Sequence, residues 1–255
     1  MSTPLTVLTV CGILTVILVV WHVISKRRAG ALLAASELAL SELRSDATTM
    51  ASELGGGDFK RLVSLRGTIQ CDEPLISPMG ERSCAYYKTE IERKYRTSNS
   101  DGKKQTRTET MSEQSEGRDF FLAVDDQTIK VHIDGADHEA LVETVDRFEP
   151  ATGDMQIGFG GFSMNLPASH GNDRTIGYRY QEHILSTDGQ LTIVGEVSDV
   201  NGQLSIGRGG LIFLFSRLTR NELIKKASNT ARLTAIGSAM SLVGTVIGAV
   251  LHLLA

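Results

Sequence analysis

Two stretches without a single charged side chain stand at opposite ends of the chain, with the polar residues gathered between them. Leu5–Ile24 reads LTVLTVCGILTVILVVWHVI, and Leu233–Ala255 reads LTAIGSAMSLVGTVIGAVLHLLA. A helix rising about 1.5 Å per residue needs roughly 20 apolar residues to cross a hydrocarbon core of about 30 Å. Both stretches meet that length, so the sequence predicts transmembrane helices over 1–25 and 233–255. Lys26, Arg27 and Arg28 follow the first apolar run, whereas a cleaved signal peptide carries its cations ahead of it. Lys225, Lys226 and Arg232 precede the second. Both cationic clusters flank the middle. The positive-inside rule then expects a two-pass protein of a bacterial or archaeal plasma membrane, with its soluble domain cytoplasmic and the lipid bilayer as a partner.

The second apolar run is rich in small residues. Gly244 and Gly248 form G-x-x-x-G, and Gly237 with Ser241 makes a second such pair. Small faces let helix backbones approach closely. Three readings stay open: self-association into a homo-oligomer, packing on the first span, or mere membrane-helix composition.

About 200 residues remain between the ends, enough for one domain with a core. The net charge of −4 sets up no field that would draw nucleic acid. Cys11 lies in the first apolar run, and Cys71 and Cys84 read as reduced thiols; a domain of this size needs no disulfide. No C-x-x-C occurs and the six histidines never pair at ligand spacing, so no metal and no cofactor is expected.

Ala29–Leu54 reads as one helix, with Leu33, Leu40, Ala47 and Leu54 seven apart and Ser36, Leu43 and Met50 between them. That stripe suits either a short coiled coil or docking on the chain's own domain. The segment 26–57 is thus an amphipathic helix closed by Gly55-Gly56-Gly57, and 58–217 is the β domain.

Within 58–217 the period changes to two. Arg61–Gln70, Ala85–Thr97, Thr175–Leu185 and Leu191–Val197 alternate, and Phe120–Val124 with Ile129–Ile133 makes a hairpin. Asn201-Gly202 turns into Leu204–Ile206, and Leu211–Phe215 is a last strand before a juxtamembrane helix over 218–232. Short strands with turns between them predict a mainly β (α+β) fold: an antiparallel sheet sandwich or partly open barrel between two transmembrane helices. Residues 98–118 are polar and aperiodic and read as a mobile loop. Residues 153–172 read as a glycine-rich loop, whose Phe159, Phe162 and Met164 either touch lipid or a partner or tuck inward.

Chemistry is sparse. Asp125-Asp126 sits where a hairpin turn wants aspartate. Glu90 and Glu92 share a strand face with lysines, and His132, His138, His170 and His183 fall on unlike elements. There is no G-x-S-x-G, no Walker lysine and no H-E-x-x-H. No catalytic residue is assigned.

Several pieces occur together in a known family. Gly67, then Glu73-Pro74-Leu75-Ile76-Ser77-Pro78, then Cys84-Ala85-Tyr86-Tyr87, resembles the GIDE domain, also called BAM for "beside a membrane". Tyr178-Arg179-Tyr180-Gln181-Glu182 and Gly195-Glu196 resemble its closing strands. The resemblance singles out Gly67, Pro74, Leu75, Ser77, Pro78, Cys84, Tyr87, Tyr178, Tyr180, Glu182, Gly195 and Glu196 as structural motif residues. Eukaryotic members are mitochondrial outer-membrane E3 ubiquitin ligases in which a zinc-binding RING finger follows the second span. This chain stops at Ala255, where that finger would begin, and is similar to the prokaryotic members without it. The expectation is a membrane-anchored, non-catalytic interaction or scaffold module with an unidentified protein partner. The alternatives are a component of a ubiquitin-like conjugation pathway and an envelope enzyme with an atypical site.

Overall fold

A computed structural model describes residues 3–54, 59–98, 103–152, 155–159, 162–166, 169–170, 173–200, 203–210 and 212–254. The chain begins with α1 (Thr3–Ala34) and α2 (Leu40–Leu54), then β1 (Lys60–Gln70), β2 (Leu75–Ile76), β3 (Ser83–Ser98) and β4 (Lys104–Gly117). Next come β5 (Phe120–Val124), β6 (Gln127–Val131), β7 (Asp137–His138), β8 (Val142–Pro150), β9 (Met155–Phe159), β10 (Phe162–Leu166) and β11 (Ser169–His170). It ends with β12 (Asp173–Ser186), β13 (Gln190–Val200), β14 (Gln203–Gly207), β15 (Leu214–Ser216) and α3 (Arg220–Leu254).

Five strands close on themselves. The order β1-β5-β6-β14-β13 returns to β1, because β1 pairs with β5 at one end and with β13 along nine residues. Within this ring β6 and β14 alone run parallel. Counted along the chain, the ring reads 1-2-3-5-4. Its inward residues are Leu65, Ile69, Phe120, Leu122, Ile129, Val131, Leu191, Ile193, Val197 and Ile206, all buried. Closure removes the free edges that a five-stranded sheet would otherwise expose. Gly67 is required where β1 passes β5, since a Cβ there would lie 2.1 Å from the Ala123 carbonyl oxygen. Gly195 likewise makes room for the Phe213 ring, 2.7 Å from where its Cβ would stand.

The second body is a half-barrel inserted between barrel strands. β4, β3, β12 and β8 lie side by side, all antiparallel, and β2 and β11 extend its edges. Residues 98–118, expected as an aperiodic loop, carry β4 instead, which pairs with β3 from Tyr86↔Gly117 to Ser98↔Lys104. β4 is mostly exposed along its length, so no apolar alternation marks it. Residues 153–172 hold β9 and β10 as a hairpin. Gly160 and Gly161 lie outside the described residues, as do Gly55-Gly56-Gly57 and Asn201-Gly202.

The helix expected over 29–54 is two helices. After Ala34 the chain leaves α1, and Ser36 bridges Val63 of β1, its amide donating to the Leu62 carbonyl at 3.1 Å. Arg220 stitches this break by donating from Nη2 to the carbonyls of Leu33 and Ala35, 3.1 and 3.0 Å away. Beyond it, α2 docks on its own domain, with Leu40, Leu43 and Ala47 inside the barrel core.

The expected spans need a larger correction. Among the described residues no helix is long and apolar enough to cross a membrane. This overturns the two transmembrane helices, and with them the two-pass localisation in a bacterial or archaeal plasma membrane with a cytoplasmic domain. In α1 the apolar run passes into Lys26, Arg27 and Arg28 within the same helix. In α3 the apolar residues are diluted by Arg232 and by hydroxyls at Thr234, Ser238, Ser241 and Thr245. The sandwich alternative also gives way to a closed barrel with a half-barrel beside it.

α1 and α3 form an antiparallel pair held by those hydroxyls. The Thr15 hydroxyl lies 2.8 Å from Ser241 Oγ and 3.0 Å from Thr245 Oγ1, and His22 Nδ1 lies 3.2 Å from Thr234 Oγ1. A Cβ at Gly237 or Gly244 would meet nothing within 4 Å, so neither glycine lies at the α1 contact.

Candidate functional site

Five of the singled-out residues, Leu75, Ser77, Cys84, Tyr87 and Glu182, gather around one buried carboxylate. Glu182 lies on β12 with no solvent exposure. Its Oε1 accepts from the Ser77 hydroxyl at 2.9 Å and from Thr144 Oγ1 at 2.7 Å. Its Oε2 accepts from the Met79 amide at 2.7 Å, and the Gly80 amide reaches both oxygens at 3.1 and 3.2 Å. Donors thus come from the turn between β2 and β3 and from β8. An ionised carboxylate suits such a set, because it only accepts. The turn is built for this. Ser77 Oγ also accepts from the Arg82 amide at 3.1 Å, and Glu81 closes the bend with φ of 51°.

Around this knot, Leu75, Cys84 and Ile184 pack together, with Tyr87 against them. The Cys84 thiol donates to the Leu75 carbonyl at 3.6 Å. Burial, reinforced by the nearby Glu182 charge, pushes this thiol up to about 11. It is therefore protonated at neutral pH and a poor nucleophile. Burial and the Glu116 carboxylate push the Tyr87 hydroxyl up to about 12, and that hydroxyl donates to Glu116 at 2.9 Å. Pro74 is exposed and Pro78 half-buried at the two ends of the turn segment. Tyr178 and Tyr180 fill the half-barrel beside Ile91. There Arg93 is also buried, its Nε donating to Thr175 Oγ1 and its Nη1 to Glu109. Glu196 of β13 pairs with Gly207 of the neighbouring β14.

Sequence reasoning missed the junction between the barrel, half-barrel and helical pair. His138 stacks on Tyr86, centroids 4.2 Å apart, and meets Phe215 edge-on at 5.4 Å. Burial holds its imidazole below the ordinary histidine range. On either side, Asp137 and Glu139 both bind Arg28 of α1 at 2.8 Å, and Glu139 binds Lys226 of α3 at 2.8 Å. Three elements distant in sequence share this junction, and no local motif announces it.

A cleft of about 630 Å³ lies between α2 and the barrel. Arg44, Phe121, Lys130 and Asp199 line it, and Arg44 donates to the Thr128 carbonyl at 2.9 Å.

A sequence model of the GIDE family, described as E3 ubiquitin ligase, matches residues 90–250, well over half of the chain. The chain belongs to the GIDE family. No curated protein and no solved structure matches it. The zinc that a ligase RING finger would hold finds no fit here. Among the described residues no group of three or more His, Cys, Asp or Glu side chains could hold a metal ion, and Cys84 is committed to packing. In this GIDE domain the motif residues brought together by the fold are Leu75, Ser77, Cys84, Tyr87 and Glu182, while Gly67, Gly195 and Glu196 serve the barrel.

Proposed function

We propose that this GIDE-type chain is a non-catalytic interaction module, anchored at a lipid surface by the apolar sides of its helical pair. The observation that carries the first half is the state of Glu182. All four of its donors come from the fold itself, which fits a residue that fastens a turn rather than one that exchanges protons with a substrate. The raised Cys84 thiol supports the same reading.

Anchoring is supported by the surface of the helical pair. Val10, Ile13, Leu14, Val16, Ile17, Val20 and Trp21 on α1 are each more than half exposed, as are Leu233, Ile236, Met240, Leu242, Val243 and Val246 on α3. Exposed apolar area of this extent calls for a cover, and lipid matches its featureless chemistry. The unidentified protein partner and a homo-oligomer belong to the same reading, with the groove beside α2 as the polar-rimmed face open to a partner.

The test is co-flotation of the purified full chain with phosphatidylcholine vesicles after dilution from detergent. The chain should rise with the lipid. Recovery at the bottom of the gradient, in a folded state, would remove the anchoring.

A second reading follows from the family's description: a component of a ubiquitin-like conjugation pathway. Ubiquitin transfer assayed with activating and conjugating enzymes decides it, and the module reading expects none.

A further inference from the structure

We infer that four exposed cations at the barrel end of the helical pair form a collar for the headgroups of anionic phospholipids, an inference that rests on the lipid anchoring proposed above.

Register between the helices sets the collar. Thr15 meets Ser241 and His22 meets Thr234, so residues whose numbers sum to about 256 stand at one level. Lys26 and Arg27 of α1 then stand level with Thr230 and Asn229 of α3, between Lys225 and Arg232. At about 1.5 Å per residue the whole band is roughly 10 Å tall. Lys26, Arg27, Lys225 and Arg232 are all exposed.

Charge at this level is unbalanced. Of the six cations in the band, Arg28 and Lys226 are engaged by Asp137 and Glu139. The next carboxylate, Glu222, is held by the amide and hydroxyl of Thr219 at 2.8 Å each. Among the described residues no ion pair engages Lys26, Arg27, Lys225 or Arg232. Asp137 and Glu139 thus neutralise two of the six cations and leave the other four exposed.

Position selects the ligand. The collar lies between the polar barrel and the apolar stretch of the pair, with Trp21 55% exposed just beyond Lys26. Indole rings favour the headgroup layer, and basic side chains beside it attract anionic lipid over neutral lipid. A soluble phosphate would gain the charge but not the adjoining apolar surface.

The experiment repeats the flotation with vesicles of phosphatidylcholine alone and of phosphatidylcholine with phosphatidylglycerol, at low and high salt. The full chain is compared with the variant K26Q/R27Q/K225Q/R232Q and with the charge-keeping variant K26R/R27K/K225R/R232K. The native chain and the charge-keeping variant should prefer the anionic vesicles by roughly several hundredfold at low salt, about fivefold for each of the four cations. High salt and the neutral variant should abolish the preference while binding to the neutral vesicles persists. Equal binding to both vesicle types by the native chain would overturn the collar and leave the anchoring intact. Failure to bind either vesicle would remove the anchoring and the collar together. Because all four side chains are exposed, the neutral variant should keep the native melting temperature.

Discussion

Ser77 and Glu182, 105 residues apart, meet at 2.9 Å in the interior of the half-barrel. The hydroxyl donates to the carboxylate and accepts from the Arg82 amide, so one serine both shapes the turn and fastens it to β12. Ser77→Ala should therefore cost about 1–3 kcal/mol, since one acceptor on a buried carboxylate loses its donor. Urea unfolding of the variant gives the value. A loss below a few tenths of a kcal/mol would show that the contact contributes nothing to stability.

Cys84 should resist alkylation. Its thiol is buried and raised to about 11, while Cys71 is only partly buried. Mass mapping after iodoacetamide treatment at neutral pH should find Cys71 modified first and Cys84 only on unfolding. Early modification of Cys84 would place an open path to it.

Acid should weaken the junction of the three bodies. Burial lowers the His138 pKa in the folded state, with Asp137 opposing. The folded chain then binds this proton less readily than the unfolded chain, whose histidine titrates near 6.5. Stability from this group is present above that value and falls as pH drops toward the folded pKa. His138→Phe keeps a ring between Tyr86 and Phe215 and removes an Nδ1 that has no partner among the described residues. Melting temperatures between pH 7 and 5 should fall less steeply for the variant than for the native chain.

Gly237 and Gly244 face open space in a single copy. Replacing either with Ala should stabilise α3, by up to about 1 kcal/mol, through helix propensity alone. If the face packs a second copy closely, the same change should instead weaken the oligomer in detergent. Sedimentation with helicity measurements separates the outcomes.

Legibility in the sequence followed from how each element is buried. The hairpin of β5 and β6, the long β12 and the barrel strand β13 alternate because one side of each faces a core, so their period showed. β4 pairs along its length with β3 but buries little of itself, so a paired strand read as a loop. The break at Ser36 was hidden because the apolar heptad stripe runs through it, although Leu33 is exposed and Leu40 buried. Apolar content at the ends suggested spans, while the hydroxyls of Thr234, Ser241 and Thr245 interrupt the apolar run of α3 and meet α1. Of the site, the residues were legible by resemblance but their meeting was not. Nothing local says that Glu182 would receive the amides of Met79 and Gly80.

Whether these residues serve the fold or a reaction is tested most directly by Glu182→Gln. The carboxamide turns a donor toward four donors, which should cost on the order of 2–4 kcal/mol. The melting temperature should fall accordingly, whereas vesicle binding measured well below the transition should stay at the native level. An unchanged melting temperature together with lost binding would contradict an architectural Glu182 and make it a functional group.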